Sequence, residues 1–346
     1  MKIAVYTIAL NEEQFIERWY ESAKDADYLL IADTGSTDKT VKIAKKLGIN
    51  VVKISIKPWR FDDARNAALA SLPDDIDMCI SLDVDEVLSE GWRELLEKTT
   101  GTQILYKYTQ NWNNKDQTIP GNITSQAKVH ARHGYRWKYI VHEYIVADRN
   151  ENHVLEECPE LHILHYPDLE KSRLVYNGLI KDALDEYPDS HRYQLYYAKA
   201  LIVKDIEESI KEFKKFVSMK DKDILPTDIS AAYIVLANLE PKKQKRYLKT
   251  AIKTWYAREP LYCLAVHYFV KNDWRNAKKY CKKVMAITQR TTDHNYIEQA
   301  WGYLPKNMLY VCNHNLKFKN RKDKMSLNVN GMASSNFDLF KETDVV

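Results

Sequence analysis

From Lys2 to Leu82 the chain alternates apolar runs of strand length with amphipathic runs of helix length. Lys2 to Leu10 is apolar and ends at Asn11-Glu12-Glu13; Phe15, Ile16, Trp19 and Tyr20 then recur at helical spacing. Tyr28 to Ala32 reads as a second buried strand, ending in Asp33-Thr34-Gly35-Ser36-Thr37-Asp38. That Ser/Thr/Asp-rich turn suits the start of a helix over Lys39 to Leu47, and Gly48 stands where a helix ends. Asn50 to Ile56 is a third strand, Phe61 to Ala70 a helix and Met78 to Leu82 a fourth strand. This order predicts βαβ units: a Rossmann-like α/β domain with a mainly parallel sheet.

The fourth strand runs into Asp83-Val84-Asp85-Glu86. Acids there lie at the carboxyl edge of a sheet, where open α/β folds bind ligands. Asp83 and Asp85, two apart, point the same way if strand geometry persists. Two hard oxygen ligands suit Mg²⁺ or Mn²⁺, ions that commonly bridge to substrate phosphates. The competing reading is an acidic turn that caps a helix beginning near Gly91.

Four blocks stand in one order: Thr7-Ile8-Ala9-Leu10-Asn11-Glu12, Asp33 to Thr40, Phe61-Asp62-Asp63-Ala64-Arg65-Asn66, and Leu82 to Glu86. Together they resemble the family 2 glycosyltransferases of the GT-A fold, over about Met1 to Leu96 and more weakly to Pro167. The resemblance implies a nucleotide-sugar donor. It gives Asp33 to the base or ribose and Thr7, Leu10 and Asn11 to the same pocket. Arg65 falls where the family places a basic contact to base or phosphate; the alternative is an ion pair with Asp62 or Asp63 on its own helix. Asp83 and Asp85 become the metal-binding DxD, with Asp85 on the metal and Asp83 on metal or ribose. Six of the ten histidines lie between His130 and His165. His162-x-x-His165 is weak as a zinc pair. Ile163-Leu164-His165-Tyr166-Pro167 resembles the family segment that supplies a late histidine to the metal. Tyr139-Ile140-Val141-His142-Glu143 resembles the acceptor-side segment, with Glu143 as general base and His142 as its rival. Trp112 and Trp137, in or near polar loops, are candidates for stacking on a sugar or a base; the competing reading is aromatic packing under long loops.

The second half reads as helix throughout. Pro188, Pro226 and Pro260 punctuate it at intervals of 38 and 34 residues, near the period of tetratricopeptide helix pairs. Apolar faces such as Ile210-Phe213-Phe216-Val217 fit that reading. The expected division is therefore a GT-A domain over 1–168, an all-α TPR-like domain over 169–312 and a basic tail over 313–346. Charge divides likewise: 20 Lys+Arg against 27 Asp+Glu up to Asp168, then 32 against 21, so a net of −7 precedes a net of +11. The basic half can meet a polyanion, or simply present solvated lysines.

No apolar run approaches the ~20 residues that span a bilayer, so no membrane partner is expected. Five scattered cysteines without a C-x-x-C pair suggest a reduced, cytoplasmic setting, and the sequon Asn122-Ile123-Thr124 carries little weight there. The composition, rich in Lys, Asn and Tyr with only 9 Gly, points to an AT-rich genome and suits a phage in its host as well as a bacterium. The expected function is inverting, metal-dependent transfer of a sugar, UDP-linked by family precedent, to a macromolecular hydroxyl: a protein or glycan, or a hydroxymethylated base in DNA. The alternative is a non-catalytic TPR-type interaction protein on a degenerate nucleotide-binding domain.

Overall fold

A computed structural model of the chain describes residues 1–111, 123–148, 152–168, 176–289, 297–318 and 325–327. Trp112, Asn122 of the sequon, and Lys319, Arg321, Lys322 and Lys324 of the basic tail lie outside the described residues. The chain forms two compact units, Met1–Leu179 and Ile180–Val346.

In the first unit the strands are β1 (Ile3–Ala9), β2 (Tyr28–Asp33), β3 (Asn50–Lys53), β4 (Met78–Ser81), β5 (Glu86–Leu88), β6 (Gln103–Gln110), β7 (Ile123–Ala131), β8 (Tyr135–Lys138), β9 (Tyr144–Ala147) and β10 (Leu155–His165). The helices are α1 (Ile16–Ala23), α2 (Thr40–Lys46), α3 (Phe61–Ala70) and α4 (Trp92–Leu96). One mixed sheet runs β3-β2-β1-β4-β7-β6-β10-β5, and β8 pairs with β9 apart from it. The first four strands are parallel. β7 then enters antiparallel to both β4 and β6. β3 stops at Lys53, short of Ile56, because its neighbour β2 ends at the register partner Asp33.

Strand alternation divides the core. Ile3, Val5, Ile31 and Ile80 face Trp19 and Ala23 of α1 and Ala44 of α2. Ala4, Tyr6, Leu30 and Ala32 face Ala68 and Leu69 of α3, together with Trp137 and Ile145 of the β8–β9 hairpin. A sheet covered on both faces needs apolar residues at successive positions, which is why these strands read as continuous runs. Asp38 accepts from the Thr40 N–H at the start of α2, at 2.9 Å. Gly48, at φ +78°, closes that helix: its N–H donates to Lys45 O, and the Ile49 N–H to Ala44 O.

The second unit is helical: α5 (Tyr176–Glu186, which carries the boundary), α6 (His191–Leu201), α7 (Ile206–Ser218), α8 (Pro226–Leu239), α9 (Gln244–Thr254), α10 (Arg258–Val270), α11 (Trp274–Ala286), α12 (Glu298–Trp301) and α13 (Leu304–Lys317). α6/α7, α8/α9 and α10/α11 are successive helical hairpins that pack in sequence. Pro188 precedes the first of them, Pro226 starts α8 and Pro260 lies in the first turn of α10, so the prolines mark the leading helix of each pair. Phe213, Phe216, Leu236, Leu264, Cys281 and Met308 belong to one continuous core. The unit is a TPR-like stack. No helix among the described residues is long and apolar enough to cross a membrane.

Candidate functional site

Strand order reverses at β1, with β2 and β3 to one side and β4 to the other. The carboxyl ends of β1 and β4 thus flank the crevice where open α/β sheets hold ligands. β4 ends at Ser81 and β5 begins at Glu86, so residues 82–85 are the connection between them. The Glu86 N–H donates to the Asp83 carbonyl at 2.9 Å and tightens this turn. β5 pairs antiparallel with the end of β10, with His165 opposite Glu86. That register carries His165 to Asp85: Nε2 lies 3.1 Å from Oδ2. The imidazole is buried and tilts against the Tyr108 ring at 5.9 Å. His162 contacts Thr109 Oγ1 at 2.8 Å instead. Three residues apart in a strand place His162 and His165 on opposite faces, so they do not form a zinc pair.

Asp83 is clamped from two sides. Arg65 Nη2 reaches Oδ1 at 2.8 Å and Lys128 Nζ reaches Oδ2 at 3.0 Å. Burial alone would raise the Asp83 carboxyl; Arg65 and then Lys128 reverse this and hold it well below the usual carboxylate range. Burial likewise works against an ionised Asp85, and the His165 contact turns its net shift downward. Lys128 also lies 3.4 Å from Glu86, which is fully buried. Glu86 accepts from the Asp83 N–H at 2.9 Å and from the Tyr108 hydroxyl at 2.8 Å. Burial raises the Glu86 carboxyl, and Lys128 offsets only part of that.

Arg65 links this turn to a second segment. Its Nε donates to Glu143 Oε1 at 2.5 Å and its Nη1 to Ser81 Oγ at 3.2 Å. The guanidinium sits 4.8 Å over the Trp137 ring. Burial lowers the affinity of Arg65 for its proton, and the Asp83 and Glu143 carboxylates overturn that. The alternative pairing of Arg65 with Asp62 or Asp63 is not made; Arg60 takes both acids, at 3.0 and 3.5 Å. Glu143 and His142 belong to the β8–β9 loop, where Tyr139 (φ +85°) and His142 (φ +53°) both adopt left-handed backbone. Such conformations cost energy in non-glycine residues and concentrate at functional sites. Trp137 is 1% exposed, so it is a floor under Arg65 and not a stacking platform for a sugar. Its Nε1–H donates to the Tyr6 hydroxyl at 2.8 Å, which lies 3.0 Å from His130 Nε2. His130 Nδ1 lies 2.8 Å from the Ala131 carbonyl, which can only accept. With Nδ1–H donated to that carbonyl, Nε2 of the neutral imidazole accepts from the Tyr6 hydroxyl.

At the end of β1, Thr7 is fully buried and Leu10 is half exposed. Asn11, at φ +55°, accepts through Oδ1 from the Thr37 N–H at 2.8 Å, and its own N–H donates to Ser36 Oγ. Asp33 is buried and accepts from the Ser36 N–H at 3.0 Å. Asn11 and Asp33 thus shape one loop from both ends. The structure brings together Asp85 with His165, Arg65 with Asp83 and Glu143, and Asn11 with the Asp33 loop. Among the described residues no group of three or more His, Cys, Asp or Glu side chains is arranged to hold a metal. Lys128, Glu86 and Tyr108 are the partners that sequence reasoning left without roles. A lysine inside the strand-like run Ala127 to Arg132 was the available signal, since buried lysines are nearly always paired.

Residues 4–103 match the family model described as glycosyl transferase family 2. The chain carries an N-terminal glycosyltransferase family 2 domain. An uncharacterized glycosyltransferase of Rickettsia bellii (strain RML369-C) is 34% identical over 108 residues, covering 31% of this chain and 35% of that protein. A TPR repeat-containing protein of Synechococcus elongatus is 33% identical over 97 residues, covering 27% of this chain and 23% of that one. The chain spans about a third of the length of the first curated relatives that its family 2 domain matches. Among solved structures, S. aureus TarS 1-349 in complex with UDP-GlcNAc aligns with a TM-score of 0.37 at 11% identity, covering 84% of this chain and 93% of that one.

Proposed function

We propose that this chain is an inverting glycosyltransferase that moves a sugar from a nucleotide-diphosphate donor, UDP being the first to test, to a hydroxyl of a macromolecular acceptor with the aid of Mn²⁺ or Mg²⁺. The observation that carries this is the Asp85–His165 pair, 3.1 Å apart at the carboxyl edge of a family 2 domain. A carboxylate and an imidazole so close are a fitting partial shell for such an ion, which takes its remaining ligands from phosphate and water. Asp85 and His165 would hold it. When bound, the metal supplies positive charge to the departing diphosphate.

The rest is work for the chain's own residues. Asp83, with each oxygen already facing a cation, serves the donor's ribose better than it serves the metal. Leu10 and Asn11 line the nucleotide pocket with Asp33, whose carboxylate accepts from base or ribose, and the fully buried Thr7 supports that pocket from beneath. Arg65 sets the distance between the donor side and the 139–143 loop, because it grips an acid of each. Glu143 takes the proton of the acceptor hydroxyl. Among the described residues its Oε2 has no hydrogen-bond partner, so that oxygen is the one to do it. His142 is the rival base.

The decisive assay is metal-dependent UDP release from a panel of UDP-sugars, with and without acceptor. Asp85→Ala is expected to lose donor turnover; unchanged turnover in that variant with metal present would sink the scheme. Glu143→Gln is expected to lose about 10²–10⁴-fold in transfer while still binding donor in a thermal-shift assay. Full transfer by Glu143→Gln moves the base to His142.

A further inference from the structure

A second cluster of charge lies in the helical unit, on α9 and the residues just before it. Lys242, Lys243, Lys245, Arg246, Lys249 and Lys253 line an open groove of about 510 Å³, with Thr250 as the remaining lining residue. At about 100° per residue, Lys245, Lys249, Lys253 and Arg246 fall on a narrow arc of α9. Tyr247, Leu248 and Ala251, on the other side of that helix, are buried in the core. The cations extend over roughly 12 Å of helix axis from Lys245 to Lys253.

Three of these cations have a partner. Lys243 pairs with Glu240 at 2.6 Å, and Lys214 takes the same carboxylate at 2.9 Å. Lys245 sits 5.4 Å over the Tyr268 ring and Arg246 5.9 Å over the Tyr247 ring, contacts that leave both charges unneutralised. Among the described residues no carboxylate lies within ion-pair distance of Lys242, Arg246, Lys249 or Lys253. Four like charges on one exposed face repel one another, and nothing in the fold requires them there. A bound polyanion would relieve that repulsion.

The lining selects among polyanions. It holds no apolar residue, whereas helices that lie on membranes insert an apolar face. It holds no aromatic residue either, whereas single-stranded nucleic acids are held by base stacking. Lysines are point charges on mobile stems and suit a dense, continuous row of phosphates more than a single carboxylate. A duplex offers one charge per ~1.7 Å of axis on a rigid frame.

We propose that the groove along α9 binds the phosphate backbone of double-stranded DNA, without reading its sequence. The proposal does not rest on the transferase reading, because binding is measured without donor or metal. The full chain is titrated against a short labelled duplex by fluorescence anisotropy between about 50 and 200 mM salt. Four released counterions predict a slope of log K against log salt near −3.6, or roughly a hundredfold loss across that range. Replacing Lys242, Arg246, Lys249 and Lys253 by Gln is expected to abolish this dependence, and Lys249→Gln alone to lower the slope by about one. Circular dichroism checks that the variants keep their helices. Changing the exposed Lys279 and Lys282 of α11 to Gln should leave the slope as it was. The proposal is overturned by salt-independent or absent binding, by an unchanged slope in the fourfold variant, or by an equal effect of the α11 control. It is equally overturned if single-stranded DNA binds as tightly as duplex, or if polyglutamate competes as well.

Discussion

At the scale of single residues, the site is governed by two cations that hold acids in place. Arg65 and Lys128 each touch two carboxylates. Removing Lys128 leaves the buried Glu86 without a cation while Asp83 keeps Arg65, and losing one partner of a buried ion pair typically costs about 3–5 kcal/mol. Lys128→Met is expected to fall in that range by urea unfolding, although it touches no substrate in the proposed scheme; a loss under 1 kcal/mol, on the order of a surface pair, would refute the clamp. His130 makes a different prediction. Burial lowers its pKa to about 4, against an ordinary value near 6.5. Between those values the unfolded chain binds a proton that the folded chain refuses. Stability therefore falls as pH falls, by about 2 kcal/mol from pH 7 to pH 5. Chemical unfolding at the two pH values should show this, with a shallower dependence in His130→Gln.

At the scale of elements, helix ends are built into the sequence itself. Lys271-Asn272-Asp273 both ends α10 and starts α11. Asn272 stands at φ +55°, its N–H donates to Phe269 O, and the Asp273 N–H donates to Tyr268 O. Asp273 then accepts from the Asn276 N–H at 3.1 Å as the cap of α11. Glycine takes the left-handed position at no steric cost. Asn272→Gly should hold or raise the melting temperature, while Asn272→Val should lower stability by about 1–2 kcal/mol. The reverse order would show that this turn is not held by its backbone conformation. The β5–β10 pairing is an element of the opposite kind. Nothing local to Asp85 or His165 announces it, because its two strands are joined through α4, β6, β7 and the β8–β9 hairpin.

At the scale of the whole molecule, each unit has its own core: two clusters flank the sheet and another fills the helical stack. Units with separate cores need not unfold in one step. Calorimetry is expected to resolve more than one transition. UDP with Mn²⁺ should raise the one belonging to the family 2 domain, by about 2.7 kcal/mol of stability at a hundredfold excess over Kd. A chelator should reverse the shift. Equal shifts in every transition, or none, would count against a nucleotide site confined to the first unit. The contrast of a net −7 up to Asp168 with a net +11 beyond it also belongs to this scale, and six of the 32 Lys and Arg residues beyond Asp168 line the groove on α9.

The amino-acid sequence alone determined the parallel core and the helical repeats. In both, the signal is local: strand alternation from Ile3 to Ser81, and helical hairpins whose leading members are marked by Pro188, Pro226 and Pro260. Asp83 and Asp85 were legible because charge at a strand end is conspicuous, and His165 through family resemblance. Tertiary structure alone decided who meets whom. β7 enters antiparallel beside β4 and delivers Lys128 to Asp83, and β10 reverses against β5 and delivers His165 to Asp85. It also decided between the two readings of Trp137, burying the ring under Arg65. Pairings between strands distant in the chain depend on register, and register is set by the packing of the whole sheet, not by any residue read on its own.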